Sequence, residues 1–225
     1  MARAPSLPSS DFPPEAPRGC PLCPRLVAFR EQAAQKEPTW FNNPVPSFGS
    51  PNARLLIVGL APGLRGANRT GRPFTGDYAG DLLYSTLLAF GFARGTYKAD
   101  PNDGLTLVDC MITNAVRCVP PDNKPLPEEV HTCRGFFKAR LAALPKLEAM
   151  VLLGRIAHDQ TLTTLALRKT AYPFKHAARH TSPDGLAIFD SLHCSRLNTN
   201  TKRLTTEMFH DVFRDVRAYL DGLSP

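Results

Sequence analysis

Residues 55–80 read LLIVGLAPGLRGANRTGRPFTGDYAG, and this stretch decides the fold. It opens on Leu55-Leu56-Ile57-Val58, a continuous apolar run that marks a strand buried on both faces. A loop follows that carries Gly59, Gly63, Gly66, Gly71, Gly76 and Gly80 together with Phe74 and Asp77. Beyond it Leu82, Leu83, Leu87, Leu88 and Phe90 form the apolar stripe of a helix. A strand feeding a glycine-rich loop and then a helix places a ligand at the carboxyl end of a sheet strand. Glycines let backbone N–H groups approach an anion closely, and Arg65, Arg69 and Arg72 add positive charge. The loop has neither the G-x-x-x-x-G-K-[ST] of a phosphate loop nor a G-x-G-x-x-G directly after the strand. The competing reading, a surface loop with solvated arginines, accounts for less of this spacing.

On either side of this unit, strands alternate with helices. Apolar runs predict strands over residues 108–116, 149–153 and 186–192. Helices are expected over about 24–35, from Pro127 through Leu144, over 156–167, and over about 205–220 with Met208, Val212, Val216 and Leu220 on one face. Residues 37–52 and 170–184 read as loops. The pattern predicts an α/β fold, a three-layer α/β/α arrangement around a four-stranded, mainly parallel sheet.

The chain has 225 residues, 43% of them hydrophobic, which suits one sizeable α/β domain. Its 27 basic residues outnumber 20 acidic ones, a net +7 that favours a polyanionic partner, most commonly nucleic acid. No run of about eighteen apolar residues is present, so no membrane span is expected. Residues 1–18 are proline-rich, lack the apolar core of a signal peptide, and read as an extended or disordered lead-in to a domain over 19–225. A cytoplasmic protein follows, in which cysteines serve as ligands or buried thiols rather than disulfides.

Two further polar residues fall just past strand ends, Asn114 and His193. In an open parallel sheet such positions gather along one edge with the Gly59–Asp77 loop. An asparagine there presents a donor and an acceptor together and suits the edge of a base; its bland reading is a strand-end turn. A histidine there can stabilise a leaving group's negative charge or move a proton; its bland reading is a packed, hydrogen-bonded ring. The other five histidines have no comparable setting. Cys20-Pro21-Leu22-Cys23 can grip one metal centre, and Cys118 and Cys133 bring the thiols to four, enough for Zn²⁺ or a [4Fe–4S] cluster. Spacing does not choose between them. Cys110 and Cys194 read as buried thiols.

Taken together these segments resemble the uracil-DNA glycosylase superfamily, and within it family 5, also called type b. Gly59-Leu60-Ala61-Pro62-Gly63 looks like the family's first motif, and Gly66 to Asp77 like its uracil-pocket loop. Ile112-Thr113-Asn114-Ala115-Val116-Arg117-Cys118 is similar to the strand with the base-reading asparagine. His193-Cys194-Ser195-Arg196-Leu197-Asn198-Thr199 resembles the last motif, a histidine followed by a DNA-probing loop. The likeness spans about residues 19–220, in four motifs in the right order.

The resemblance implies a DNA-repair glycosylase that flips uracil out of DNA and hydrolyses its N-glycosidic bond, leaving an abasic site. It implies the same for other deaminated bases such as hypoxanthine or xanthine. Gly59, Ala61, Gly63, Phe74 and Asn114 would form the base pocket, with Asp77, His193 and Asn114 as catalytic residues. Ser195, Arg196, Leu197, Asn198 and Thr199 would contact DNA, Leu197 as a wedge. Cys20, Cys23, Cys118 and Cys133 match the family's [4Fe–4S] ligands. Family 4 enzymes carry glutamate at the place of Leu60, and family 1 enzymes aspartate at the place of Ala61. Both positions are apolar here, which leaves Asp77 as the pocket carboxylate and argues against a uracil-restricted, family 4-like enzyme. No lysine is placed as a Schiff-base nucleophile, so a monofunctional enzyme without lyase activity is expected, acting as a monomer. The alternative is an iron–sulfur protein that binds DNA without turnover.

Overall fold

The computed structural model describes residues 11–222. From the N-terminus run α1 (Pro24–Lys36), β1 (Phe48–Gly49), β2 (Leu55–Gly59), the short α2 (Ala67–Thr70) and α3 (Tyr78–Ala89). A small antiparallel pair follows, β3 (Ala93–Arg94) and β4 (Thr106–Leu107), then β5 (Cys110–Asn114), α4 (Pro127–Ala142) and β6 (Ala149–Leu153). The remainder is α5 (Arg155–Thr164), β7 (Arg179–Thr181), β8 (Ala187–Ser191), α6 (Arg196–Asn200) and α7 (Thr206–Gly222).

The main sheet runs β1-β5-β2-β6-β8-β7. Its four central strands are parallel and are the four that apolar runs predict. The edge strands β1 and β7 pair antiparallel, so the sheet has six strands, not four. Both edges are two or three residues long and partly exposed, so they carry no continuous apolar run. The β7 hairpin does have a readable signal: Ser182-Pro183-Asp184-Gly185, with Gly185 at φ +86°, turns the chain back onto β8. The predicted strand over 108–116 also starts late. Asp109 takes a left-handed conformation (φ +53°), and its carboxylate accepts from the Arg54 backbone N–H (3.0 Å) and Nε (2.7 Å).

Strand side chains alternate between faces, and both faces are covered. Leu55, Ile57, Ile112, Val151 and Phe189 pack with Leu83 and Leu87 of α3 and with Phe209, Val212, Phe213 and Val216 of α7. Leu56, Val58, Met111, Met150 and Ile188 pack with Phe137 and Leu141 of α4 and with Ala157 and Leu162 of α5. The layers are therefore helix, sheet, helix.

Within the proline-rich lead-in, residues 1–10 lie outside the described residues. Residues 11–18 hold no helix or strand, yet they are docked. Phe12 meets Phe136 edge to face (centroids 4.8 Å apart). Glu15 pairs with Arg117 (3.1 Å) and Arg140 (2.6 Å) and accepts from the Ser47 N–H (3.0 Å). Among the described residues no helix is long and apolar enough to cross a membrane.

Candidate active site

The carboxyl ends of β2, β5 and β8 open into one cleft of about 440 Å³. Gly59 and Asn114 end their strands as register partners. The ladder continues past them, with Ala115 N–H bonding Gly59 O (2.9 Å) and Val116 N–H bonding Leu60 O (2.9 Å). Glycine is required at 59, because a Cβ there would overlap Asn114 Oδ1 and lie 2.7 Å from Phe74 Cζ. Asn114 is 3% exposed, and among the described residues its Oδ1 has no hydrogen-bond partner. A buried acceptor left unpaired costs about 1–3 kcal/mol, so a cleft that presents one is built for a donor. Phe74, held at φ +52°, lays its ring nearly parallel to that of His193 (centroids 5.9 Å, 30°).

Asp77 caps the N-terminus of α3, its Oδ1 accepting from the Gly80 N–H at 3.2 Å. This cap alone stabilises the helix by about 1 kcal/mol. Its second oxygen lies against Gly63 and Gly66; a side chain at 66 would displace it, and one at 63 would press on it at 3.1 Å. Burial pushes the Asp77 carboxyl up, and the Gly80 and Ala79 N–H groups act to keep it ionised. Among the described residues it is the only carboxylate lining the cleft; Leu60 and Ala61 contribute apolar wall. Burial holds the His193 imidazole down to about 4, so it is neutral at neutral pH and can donate a hydrogen bond without carrying charge.

The mouth of the cleft is formed by Tyr78, Ser195 and Arg196, with the Arg196 guanidinium over the Tyr78 ring (5.3 Å). The segment expected as a probing loop is a short helix, α6, capped by Ser195, whose side chain accepts from the Asn198 N–H. Asn198 Nδ2 donates to His193 O (2.8 Å), tying this helix to the cleft wall. Leu197 stands 69% exposed in its first turn.

Cys20, Cys23, Cys118 and Cys133 line one internal cavity with Leu26, Arg30 and Phe136, bringing together the start of α1, the end of β5 and α4. Arg117 N–H reaches Cys133 Sγ at 3.3 Å, and Arg30 bonds Cys20 O at 2.8 Å. Among the described residues no three His, Cys, Asp or Glu side chains form a group that could hold a single metal ion. Cys110 and Cys194 are buried elsewhere.

Sequence reasoning missed Tyr78 and Asn123, which both line the cleft. Asn123 (φ +57°) sits in a turn that follows Pro120-Pro121, a signal that was readable as a turn but not as a wall of the cleft. Arg72 is placed differently from expectation. It is 4% exposed, forked onto Asp103 (2.8 Å twice), bonded to Thr75 Oγ1 (2.7 Å), and stacked among Phe48, Tyr84 and Tyr97. It shapes the loop and offers no charge to a ligand, whereas Arg65 and Arg69 are exposed.

The family model described as "Uracil DNA glycosylase superfamily" matches residues 46–217, and the chain belongs to that superfamily. It is 47% identical over 204 residues to a type-5 uracil-DNA glycosylase of Thermus thermophilus, covering 88% of this chain and 92% of that one. Pyrobaculum aerophilum supplies two further relatives. Its type-5 uracil-DNA glycosylase is 38% identical over 88% of both chains. Its type-4 uracil-DNA glycosylase is 36% identical over 67% of this chain and 63% of the other.

Proposed function

We propose that this chain excises uracil from DNA by hydrolysing the N-glycosidic bond, leaving an abasic site, as a type-5 enzyme. The observation that carries the reading is the unpaired, buried Asn114 Oδ1 facing a cleft walled by Phe74 and His193. Uracil brings an N–H to that acceptor and a flat face to Phe74. A base inside a duplex must leave the stack to reach such a cleft, which costs a few kcal/mol and least at a mismatched pair. Leu197, carried on α6 with Ser195, Arg196, Asn198 and Thr199, fills the gap from the minor groove while Arg196 and backbone amides meet phosphates.

Bond cleavage builds positive charge on the sugar and negative charge on the departing base. His193, neutral, donates to the base oxygen where that negative charge collects. Asp77, which burial pushes up while its Gly80 and Ala79 N–H partners pull the other way, balances the cationic sugar or orients water in its ionised form. The apolar Leu60 and Ala61 leave the pocket less exclusive, and hypoxanthine and xanthine are further substrates. No lysine lines the cleft among the described residues, in keeping with a monofunctional enzyme. It acts as a cytoplasmic monomer on nucleoid DNA.

The four cavity-lining cysteines supply the donor set of a [4Fe–4S] cluster, four sulfurs around one cavity. Burial pushes the Cys118 and Cys133 thiols up, and a bound cluster would supply the positive charge that thiolate ligands require. When bound, such a cluster joins α1 and the Cys118 loop into one block and takes no part in base release.

The reading is tested by base release from duplexes containing U·G, hypoxanthine·T or xanthine·C, with alkali revealing abasic sites. Wild type is compared with Asp77→Ala and His193→Ala. Uracil release weakened in both variants supports it. DNA binding without release by wild type would establish the non-catalytic alternative instead.

A further inference from the structure

Behind the turn that walls the cleft lies a second concavity of about 560 Å³, lined by Lys36, Glu37, Trp40, Leu64, Arg65 and Arg69. The two share one wall. Gly63 and Ala67 face the cleft while Leu64, Arg65 and Arg69 face the outer groove, and the boundary recurs at Asp77 and Gly76. The groove is a built feature. Phe41 N–H bonds Arg69 O and Asn42 N–H bonds Asn68 O, both at 3.0 Å, and the fully buried Asn68 donates to Asn42 Oδ1 (2.9 Å). Gly71 lets the Phe41 ring close onto the turn, because a Cβ there would lie 2.8 Å from it.

The chemistry of the groove is one-sided. Lys36, Arg65 and Arg69 are exposed, and none has an acidic partner among the described residues; Arg69 makes only a long bond to Gly76 O (3.4 Å). Glu37 is the single anion in the lining. Trp40, the only tryptophan of the chain, is half-buried beside them. Cations along a groove with one aromatic face match a nucleic-acid strand whose bases are free to stack.

We propose that this groove holds the unpaired strand flanking the flipped nucleotide, with phosphates on Lys36, Arg65 and Arg69 and a neighbouring base on Trp40. The proposal rests on the glycosylase reading, since the strand reaches the groove by crossing the turn whose other side holds the flipped base. It makes single-stranded DNA a substrate in its own right.

Because Trp40 is the only indole, its fluorescence reports the groove directly. The full-length protein is titrated with a single-stranded oligodeoxynucleotide of about fifteen residues carrying a tetrahydrofuran abasic-site analogue. Saturable quenching is expected. In Arg65→Gln/Arg69→Gln, affinity for this probe falls about 10-fold, and the slope of log affinity against log salt shrinks by about 1.4, the value for two phosphate contacts on a single strand. Trp40→Leu, which leaves no indole to follow and is therefore read by the anisotropy of a fluorescein-labelled probe, weakens binding about 10-fold as well. Unchanged fluorescence at saturation, or an unchanged salt slope, overturns the groove while leaving the glycosylase reading intact. Absence of base release by wild type overturns that reading instead.

Discussion

The Asn114 carboxamide oxygen occupies the space that a side chain on Gly59 would need. The two residues are cross-strand partners at the ends of β2 and β5, so the sheet itself sets how close they come. Gly59→Ala must displace either Asn114 or Phe74, an overpacking that costs about 1–3 kcal/mol. Expressed in kcat/KM for uracil release, the expected loss is about 10- to 100-fold. Folding stability measured alongside separates a displaced pocket from a damaged core: near-wild-type release would show that the pocket does not depend on this contact.

Leu197 has almost no packing to lose, so Leu197→Ala should leave thermal stability unchanged. Its effect should depend on whether the uracil is stacked in a duplex. Release from U·A duplexes is expected to drop about 10-fold, and release from single-stranded DNA to change little. Equal losses on both substrates would remove the wedge role.

Cys118→Ser takes one donor from the cavity that α1, α4 and the end of β5 share. Iron content and visible absorbance of the purified protein should fall together, and solubility with them. Normal iron in a well-folded variant would contradict the ligand assignment.

His193 carries the clearest pH signature. Unfolded, it takes up a proton near about 6.5; folded, burial delays that to about 4. Between these values the unfolded chain binds more protons, so the group's contribution to stability is present above about 6.5 and is lost as pH falls toward about 4. Uracil release, which needs the neutral ring, should show no histidine inflection between about pH 6 and about pH 8. A midpoint near 6.5 that disappears in His193→Gln would mean that the ring works as a cation.

A second histidine behaves in the opposite way. His158 Nδ1 meets Asp190 Oδ1 at 2.7 Å and its Nε2 faces Tyr172 O at 2.9 Å, so both ring nitrogens point at acceptors. Burial alone would lower this histidine, but the fully buried Asp190 carboxylate overrides it and the group sits above its ordinary value. His180 of β7 faces the same carboxylate at 3.4 Å, and Asp159 adds attraction from α5. This stabilisation is complete below about pH 6.5 and is lost as pH rises through the folded value. His158→Gln strands Asp190 and should cost about 3–5 kcal/mol in denaturant unfolding at pH 6. The gap between wild type and variant should narrow as pH rises through the raised folded value; a gap independent of pH would mean that the ring is neutral throughout.

The parallel core was legible because a strand buried on both faces writes itself as an uninterrupted apolar run, as at Leu55–Val58 and Ala149–Leu153. From those runs the strand-end positions of Gly59, Asn114 and His193 follow; Asn114 and His193 line the cleft, and Gly59 lies against Asn114 and Phe74. The edges were not legible. Phe48–Gly49 has only two residues and one partner strand, and its pairing depends on β5 being present already. The helices α2 and α6 are four and five residues long, too short for a periodic stripe. Charge misled at Arg72, because sequence does not reveal that Asp103 waits 31 positions away to neutralise it. Tyr78 and Asn123 reach the cleft through packing alone.

Glu15 reaches far along the chain: its partner Arg140 lies 125 positions later. During synthesis the N-terminal arm and the Cys20 and Cys23 thiols therefore leave the ribosome well before their docking site exists. At about 5–20 residues per second that interval is on the order of ten seconds. For that time Cys20 and Cys23 have neither of the thiols, Cys118 and Cys133, that share their cavity in the folded chain.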